Sequence, residues 1–206
     1  MREVLPTRGA LMELSDERRL MRQGYEFLDE KRILLANEIL RQLRDYQQQF
    51  ALLIAATERA SSALAAAVER HGFDQLQVYP AAEPPALARP VRTTFLGLPM
   101  LSSGPAADSG APGRAALDPS PEAKACQAEF ARLVRISADI GLRVANLLRL
   151  AREYRRTERR AEALEKVLLP ETEEAIKRLD EQLDTMEREE VIRSRWSSPQ
   201  ASIKAG

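Results

Sequence analysis

The sequence predicts an all-α fold: a long antiparallel two-helix coiled coil with a short irregular middle segment that can hold a small β-hairpin. Three observations carry this. Apolar residues recur every three or four positions over residues 11–67 and again over 130–186, the spacing of a buried helical stripe. Eight of the twelve prolines and five of the nine glycines fall between 72 and 120. Aromatics are only 5% of the chain while charged residues reach 30%. That is sparse for a globule but sufficient for helices that bury one stripe each.

The first helix is expected over about Arg8 to His71, with Gly24 its only breaker. Its stripe runs through Leu11, Leu14, Arg18, Met21, Tyr25, Leu28, Arg32, Leu35 and Ile39. One extra step of four then leads to Leu43, and the alternation resumes through Tyr46, Phe50, Leu53, Thr57, Ala60, Leu64 and Ala67. Such a step at 39–43 is a stutter, which locally unwinds a left-handed supercoil. At 1.5 Å per residue this helix would be roughly 95 Å long, a length typical of coiled coils. His71-Gly72 is a natural stop.

Residues 72–120 read as linker, above all "GPAADSGAPGRAALDPSP". Within them "LQVY" at 76–79 and "VRTTFL" at 91–96 have strand composition and are expected to pair as a hairpin. A structureless loop is the competing expectation.

The second helix is expected after "DPSPEAK", with Ser120 as cap, Pro121 in the first turn and Glu122 favouring the helix dipole. Its stripe is Phe130, Leu133, Ser137, Ile140, Val144, Leu147, Ala151 and Tyr154. After a charged zone it recovers at Leu164, Leu168, Thr172, Ile176, Leu179, Leu183 and Met186. Pro170 removes a backbone donor inside this pattern and should kink the helix. The chain thus divides into a long helix (1–71), the Pro/Gly-rich middle (72–120), a second long helix kinked near Pro170 (121–196) and a flexible tail (197–206).

Folded back end to end, the two stripes would set Arg32 against Glu165, Tyr46 against Ala151 and Phe50 against Leu147. Leu28, Leu53 and Val144 would lie on the same seam. Arg32 sits on a stripe that should be dry. A partner charge at Glu165 would penalise slipped registers. Alternatively its methylenes lie on the seam and its head reaches water.

Formal net charge is zero, from 31 basic and 31 acidic residues, which argues against a nucleic-acid partner. The single cysteine, Cys126, allows no internal disulfide and fits a reducing compartment. No apolar signal core opens the chain. Apolar runs such as "FALLIAA" at 50–56 are shorter than a membrane span, so no direct membrane insertion and a cytoplasmic location are expected. No phosphate-binding loop, GxGxxG, HExxH, CxxC or GxSxG occurs. No catalytic residue, metal ligand or cofactor is expected. His71 reads as a capping cation, Cys126 as a small helix-face residue, and the carboxylates of "PETEEAIKRLDEQLDTMEREE" as a solvated face with i,i+4 basic partners.

Three stretches carry a family resemblance: "PTRGALMEL", "GYEFLDEKRILL" and "TERRAEALEKVLLPETEEAIKRLDEQLDTMEREE". They resemble the D subunit of the V-type (A/V-type) rotary ATPase or ATP synthase, through Pro6-Thr7-Arg8, Gly24 with Lys31-Arg32, Arg159-Arg160 with Ala163-Leu164-Glu165, Pro170, and Glu187-Arg188-Glu189. Ile33 stands where that family usually has Asp, and Glu162 where it often has Asn. The resemblance implies a non-catalytic central-stalk axle. Its partners would be the catalytic A and B subunits, the small F subunit and the adaptor on the membrane ring. It would couple ATP hydrolysis or synthesis to proton or sodium transport, peripheral to the membrane. Arg155, Arg156, Arg159 and Arg160 then become candidates for partner contact, against the plain expectation of a solvated face. A generic coiled-coil scaffold would share the heptads without needing Pro170 or the arginine cluster.

Overall fold

The computed structural model describes residues 5–79, 87–106 and 119–197. Helix α1 spans Arg8–His71, and a single turn, α2, spans Phe73–Val78. A hairpin of β1 (Ala88–Phe95) and β2 (Leu98–Ala106) follows. Helix α3 (Pro121–Ala163) then passes through a π-helical turn at Leu164–Leu168 into α4 (Leu169–Ser197). The linker residues 107–118 and the tail from 198 on lie outside the described residues. Two compact units divide the chain: Ile33–Arg155, and the residues up to Arg32 together with those from Arg156 onward.

Capping chemistry sets the helix ends. Thr7 accepts the Ala10 N–H on its hydroxyl at 3.1 Å, satisfying one of the first-turn donors of α1. At the other end the Gly72 N–H reaches Val68 O at 2.8 Å and Gly72 turns the chain at φ 75°. The expected strand at 76–79 does not form, because Phe73–Val78 coils into α2. Asp74 sits in its first turn, where an acidic side chain favours helix.

In the Ile33–Arg155 unit, α1 and α3 run antiparallel. Asp45 meets Arg143 and Arg59 meets Glu129, each at 3.6 Å. The register therefore differs from the end-to-end match by about one heptad. Tyr46, next to Asp45, thus lies level with the turn of Leu142 and Arg143 rather than with Ala151.

The buried stripe of α1 also differs from expectation. It passes through Leu35, Ile39, Gln42, Tyr46, Gln49, Leu53, Ala56, Ala60, Ala63 and Ala67, all buried or half-buried. This is an unbroken alternation of four and three, so no stutter occurs at 39–43. Small alanines along the contact line let backbones approach. The larger Leu43, Phe50 and Leu64 sit one position round and stay exposed.

The hairpin caps one side of this unit. Leu96 (φ 49°) and Gly97 (φ 78°) form its two-residue turn, with Phe95 paired to Leu98 and Thr93 to Met100. Positive φ at both turn residues matches the right-handed twist of the strands. Gly104 has no alternative, since a Cβ there would collide with Arg89 O. Met100 closes a core with Leu35 and Leu150, the latter two fully buried, flanked by Ile39, Phe95, Leu98 and Tyr154. Each fully buried leucine contributes about 2 kcal/mol by burial alone.

In the other unit, α1 runs antiparallel to α4. Arg8 pairs with Glu187 at 2.5 Å, and the Thr172 hydroxyl lies 3.5 Å from Met21 Sδ. Thr157, Ala161, Thr172 and Leu179 form the buried line, with Leu28 half-buried across from it. Pro170 acts one turn earlier than its own position. Its ring would clash with the carbonyl four residues back, and the π-turn opens the helix there, with the Leu169 N–H bonding Leu164 O.

Candidate functional site

The strongest surface feature of the Ile33–Arg155 unit is apolar and uncovered. On α1, Leu40, Leu43, Phe50, Ile54 and Leu64 are exposed, and on α3, Phe130, Val134, Val144 and Leu148. Val144 is 36% exposed and Phe50 43%, so both flank the seam rather than fill it. The α1 positions 40, 43, 47, 50, 54, 57, 61 and 64 make a second heptad line, and 130, 134, 137, 141, 144 and 148 do the same on α3.

Each line sits next to the buried stripe of its own helix, advanced by about one residue. In an antiparallel pair such positions turn to the same side, because the opposite chain directions reverse the sense of rotation. The hairpin packs along the preceding positions of α3, among them Asp139 and Asn146, so the apolar face lies away from it. A groove of about 570 Å³ runs here, lined by Phe50, Leu53, Ile54, Thr57, Glu58 and Ser61. An apolar face of this extent marks an interaction surface. Helix α1, against the sequence expectation, contains an 18-residue stretch apolar enough to cross a membrane by length and composition.

The hairpin is held by side chains that the sequence reading passed over. Asn146 is buried and faces the outer edge of β2. Its Oδ1 accepts the Leu101 N–H at 2.9 Å and its Nδ2 donates to Leu101 O at 2.7 Å. The amide thus replaces a neighbouring strand for one residue. Ser103 donates to Asp139 at 3.2 Å nearby. The available signal was Asn146 itself, a poor helix former set among Val144, Ala145, Leu147 and Leu148. His71 is buried, and its Nε2 lies 2.5 Å from Ser120 Oγ, which accepts the Ala123 N–H at 3.1 Å as the cap of α3. His71 therefore joins the end of α1 to the start of α3, where the sequence suggested only a capping cation. Tyr79 tilts against the imidazole at 5.7 Å. Cys126 is half-buried, and burial pushes its thiol up, away from a reactive thiolate.

Arg32 pairs with Asp29 at 2.7 Å within its own helix, about a third exposed. It does not pair with Glu165, which is exposed and acts on Tyr25. Desolvation, then Glu165 and Asp29, raise the Tyr25 phenol above its ordinary range. A neighbour three residues away costs less side-chain entropy than one on another helix, so the local pair prevails. Leu147 and Ala151 are half-buried. Arg155, Arg156, Arg159 and Arg160 all have exposed side chains on α3. Among the described residues no group of three or more His, Cys, Asp or Glu is placed to hold a metal ion.

These features define a class: an all-α protein of paired antiparallel helices, carrying a docked β-hairpin and a wide apolar flank. The family model for the ATP synthase D subunit matches residues 10–198. The chain is 31% identical over 201 residues to the V-type ATP synthase D subunit of Anaeromyxobacter dehalogenans strain 2CP-C, covering 95% of each. It is 26% identical over 197 residues to the same-named protein of Thermotoga neapolitana, covering 92% of this chain and 94% of that one. To the A-type ATP synthase D subunit of Pyrococcus furiosus it is 27% identical over 199 residues, with 93% and 91% covered. The chain belongs to the ATP synthase D-subunit family of V/A-type enzymes.

Proposed function

We propose that this chain is the non-catalytic central-stalk subunit of a V/A-type rotary ATPase or ATP synthase. It turns as a shaft that couples ATP hydrolysis or synthesis in a hexamer of A and B subunits to proton or sodium transport through a membrane ring. It works peripherally on the cytoplasmic side. The observation that carries this reading is the apolar flank of the Ile33–Arg155 unit. A surface with Leu43, Phe50, Val134 and Leu148 exposed on adjacent helices calls for a covering subunit. The small F subunit and the ring adaptor are the partners proposed beside A and B. Arg155, Arg156, Arg159 and Arg160 are proposed to meet an acidic or carbonyl-rich partner surface, a role suited to weakly hydrated guanidinium groups.

Co-expression with the A, B and F subunits tests this. The wild-type chain should co-purify with a nucleotide-binding hexamer while binding no nucleotide itself. Phe50→Glu with Leu148→Glu, and separately Arg156→Glu with Arg159→Glu, should each reduce recovery at least about tenfold, the weight of one lost interface contact of 1.4 kcal/mol or more. Helical content should not change. Recovery at the wild-type level from both pairs, or saturable nucleotide binding by the free chain, overturns the reading.

A further inference from the structure

We propose that the unit formed by the residues up to Arg32 and from Arg156 on contains a built-in hinge at residues 164–171, facing Gly24. At this level the pair is weak on both sides at once. On one side the π-turn Leu164–Leu168 has no buried residue. Its bonding shifts to the Leu169 N–H on Leu164 O. Pro170 then offers no N–H, so a carbonyl of the preceding turn loses its helical donor. The Thr172 hydroxyl donates to Leu168 O at 2.7 Å. Such back-bonding opens a helix further.

On the other side stands Gly24, the least stiff residue a helix can hold. A Cβ built there would lie 3.9 Å from Leu164 Cδ1, an ordinary contact. The glycine is therefore not required by crowding. It leaves the facing helix thin where the π-turn is loose. Flanking levels are held better, by buried Thr157 and Ala161 before the turn and by buried Thr172, beside Met21, and Leu179 after it. Bending and twisting therefore concentrate at residues 164–171.

The hinge exists whether or not the shaft reading holds. Its use, taking up twist between catalytic steps and continuous ion flow, rests on that reading. A π-turn is a helix with one residue inserted. Removing the exposed Val167 together with Pro170→Ala should convert the turn to α-helix while keeping both flanks in phase.

The test is amide hydrogen exchange on the free full-length chain, with wild type, the Val167 deletion in Pro170→Ala, and Gly24→Ala. In wild type the amides of 165–171 should exchange at least about tenfold faster than those of 174–180. The deletion variant should remove that difference, Gly24→Ala should narrow it, and exchange around Leu35 and Leu150 should not change. Equal protection of 165–171 and 174–180 in wild type overturns the hinge. So does a difference that survives the deletion in a chain of wild-type helicity. If the deletion chain misfolds, the wild-type profile and Gly24→Ala still decide. None of these readouts involves a partner, so failure of the hinge and failure of assembly are separate results.

Discussion

Replacing Asn146 by Asp tests how the hairpin is held. The Asn146 amide is buried and both accepts from and donates to Leu101, at 2.9 and 2.7 Å. An ionised carboxylate keeps the acceptor. It loses the donor and sets a negative oxygen against the Leu101 carbonyl. Losing one buried hydrogen bond and stranding its partner carries a penalty of about 1–3 kcal/mol, and the charge adds to it, so we expect about 3 kcal/mol at pH 7. A protonated carboxyl restores the pattern, because its O–H donates where the amide did.

The penalty therefore titrates. At 1.36 kcal/mol per unit, it raises the introduced carboxyl from about 3.9 in the unfolded chain to about 6 in the folded one. Because the folded value is the higher, the loss is complete above about pH 6 and vanishes below about pH 4. Urea unfolding of Asn146→Asp and wild type at each pH, taken as a difference, cancels the other carboxylates. Asn146→Ala serves as the control and should lose stability without pH dependence. Exchange of the Leu101 amide should follow the same curve. A pH-independent deficit for Asn146→Asp, or none at all, would refute the reasoning that the amide substitutes for a strand.

Leu35→Ala empties the centre of the Leu35, Met100 and Leu150 core and should lower unfolding free energy by about 3 kcal/mol, with the hairpin amides the first to lose protection. Leu96→Asn should stabilise the free chain by about 1 kcal/mol, seen as a higher denaturant midpoint, because Leu96 at φ 49° holds a left-handed conformation that Asn tolerates better. Glu38 is held below the ordinary carboxylate range, chiefly by its hydrogen bond from Arg41. Its contribution is present above about pH 4.3, the ordinary glutamate value, and fades as pH falls through the lower folded value. Glu38→Gln should therefore be less stable than wild type at pH 7 and equal to it in acid, as measured by thermal melting at both pH values.

How much of this was legible in the sequence differs from residue to residue. A helix from Arg8 to His71 follows from the apolar periodicity over 11–67 and the His71-Gly72 stop, both local in origin. Pro170 announced a disturbance by its missing N–H, although the π-turn that answers it sits one turn earlier. The strand at 91–96 was legible, but its partner Leu98–Ala106 was not. Residues 76–79 have strand composition, yet so short a stretch fits a helical turn equally well.

Register and the choice of buried face were not local. Two neighbouring heptad lines on α1, one through Gln42, Gln49 and Ala56 and one through Leu43, Phe50 and Thr57, have the same period. Hydrophobicity alone favours the larger residues. The tertiary structure buries the line that ends in Ala56, Ala60 and Ala67, whose small side chains permit close approach of two helices. That choice left Phe50, Ile54, Val134 and Leu148 outside as the apolar flank. His71 on Ser120 then ties the end of α1 to the start of α3, and Asn146 on Leu101 docks the hairpin on α3, pairs that are 49 and 45 residues apart. Periodicity along one chain determines that helices form and that they pair. Which faces meet, and at what level, depends on contacts between residues that no spacing rule connects.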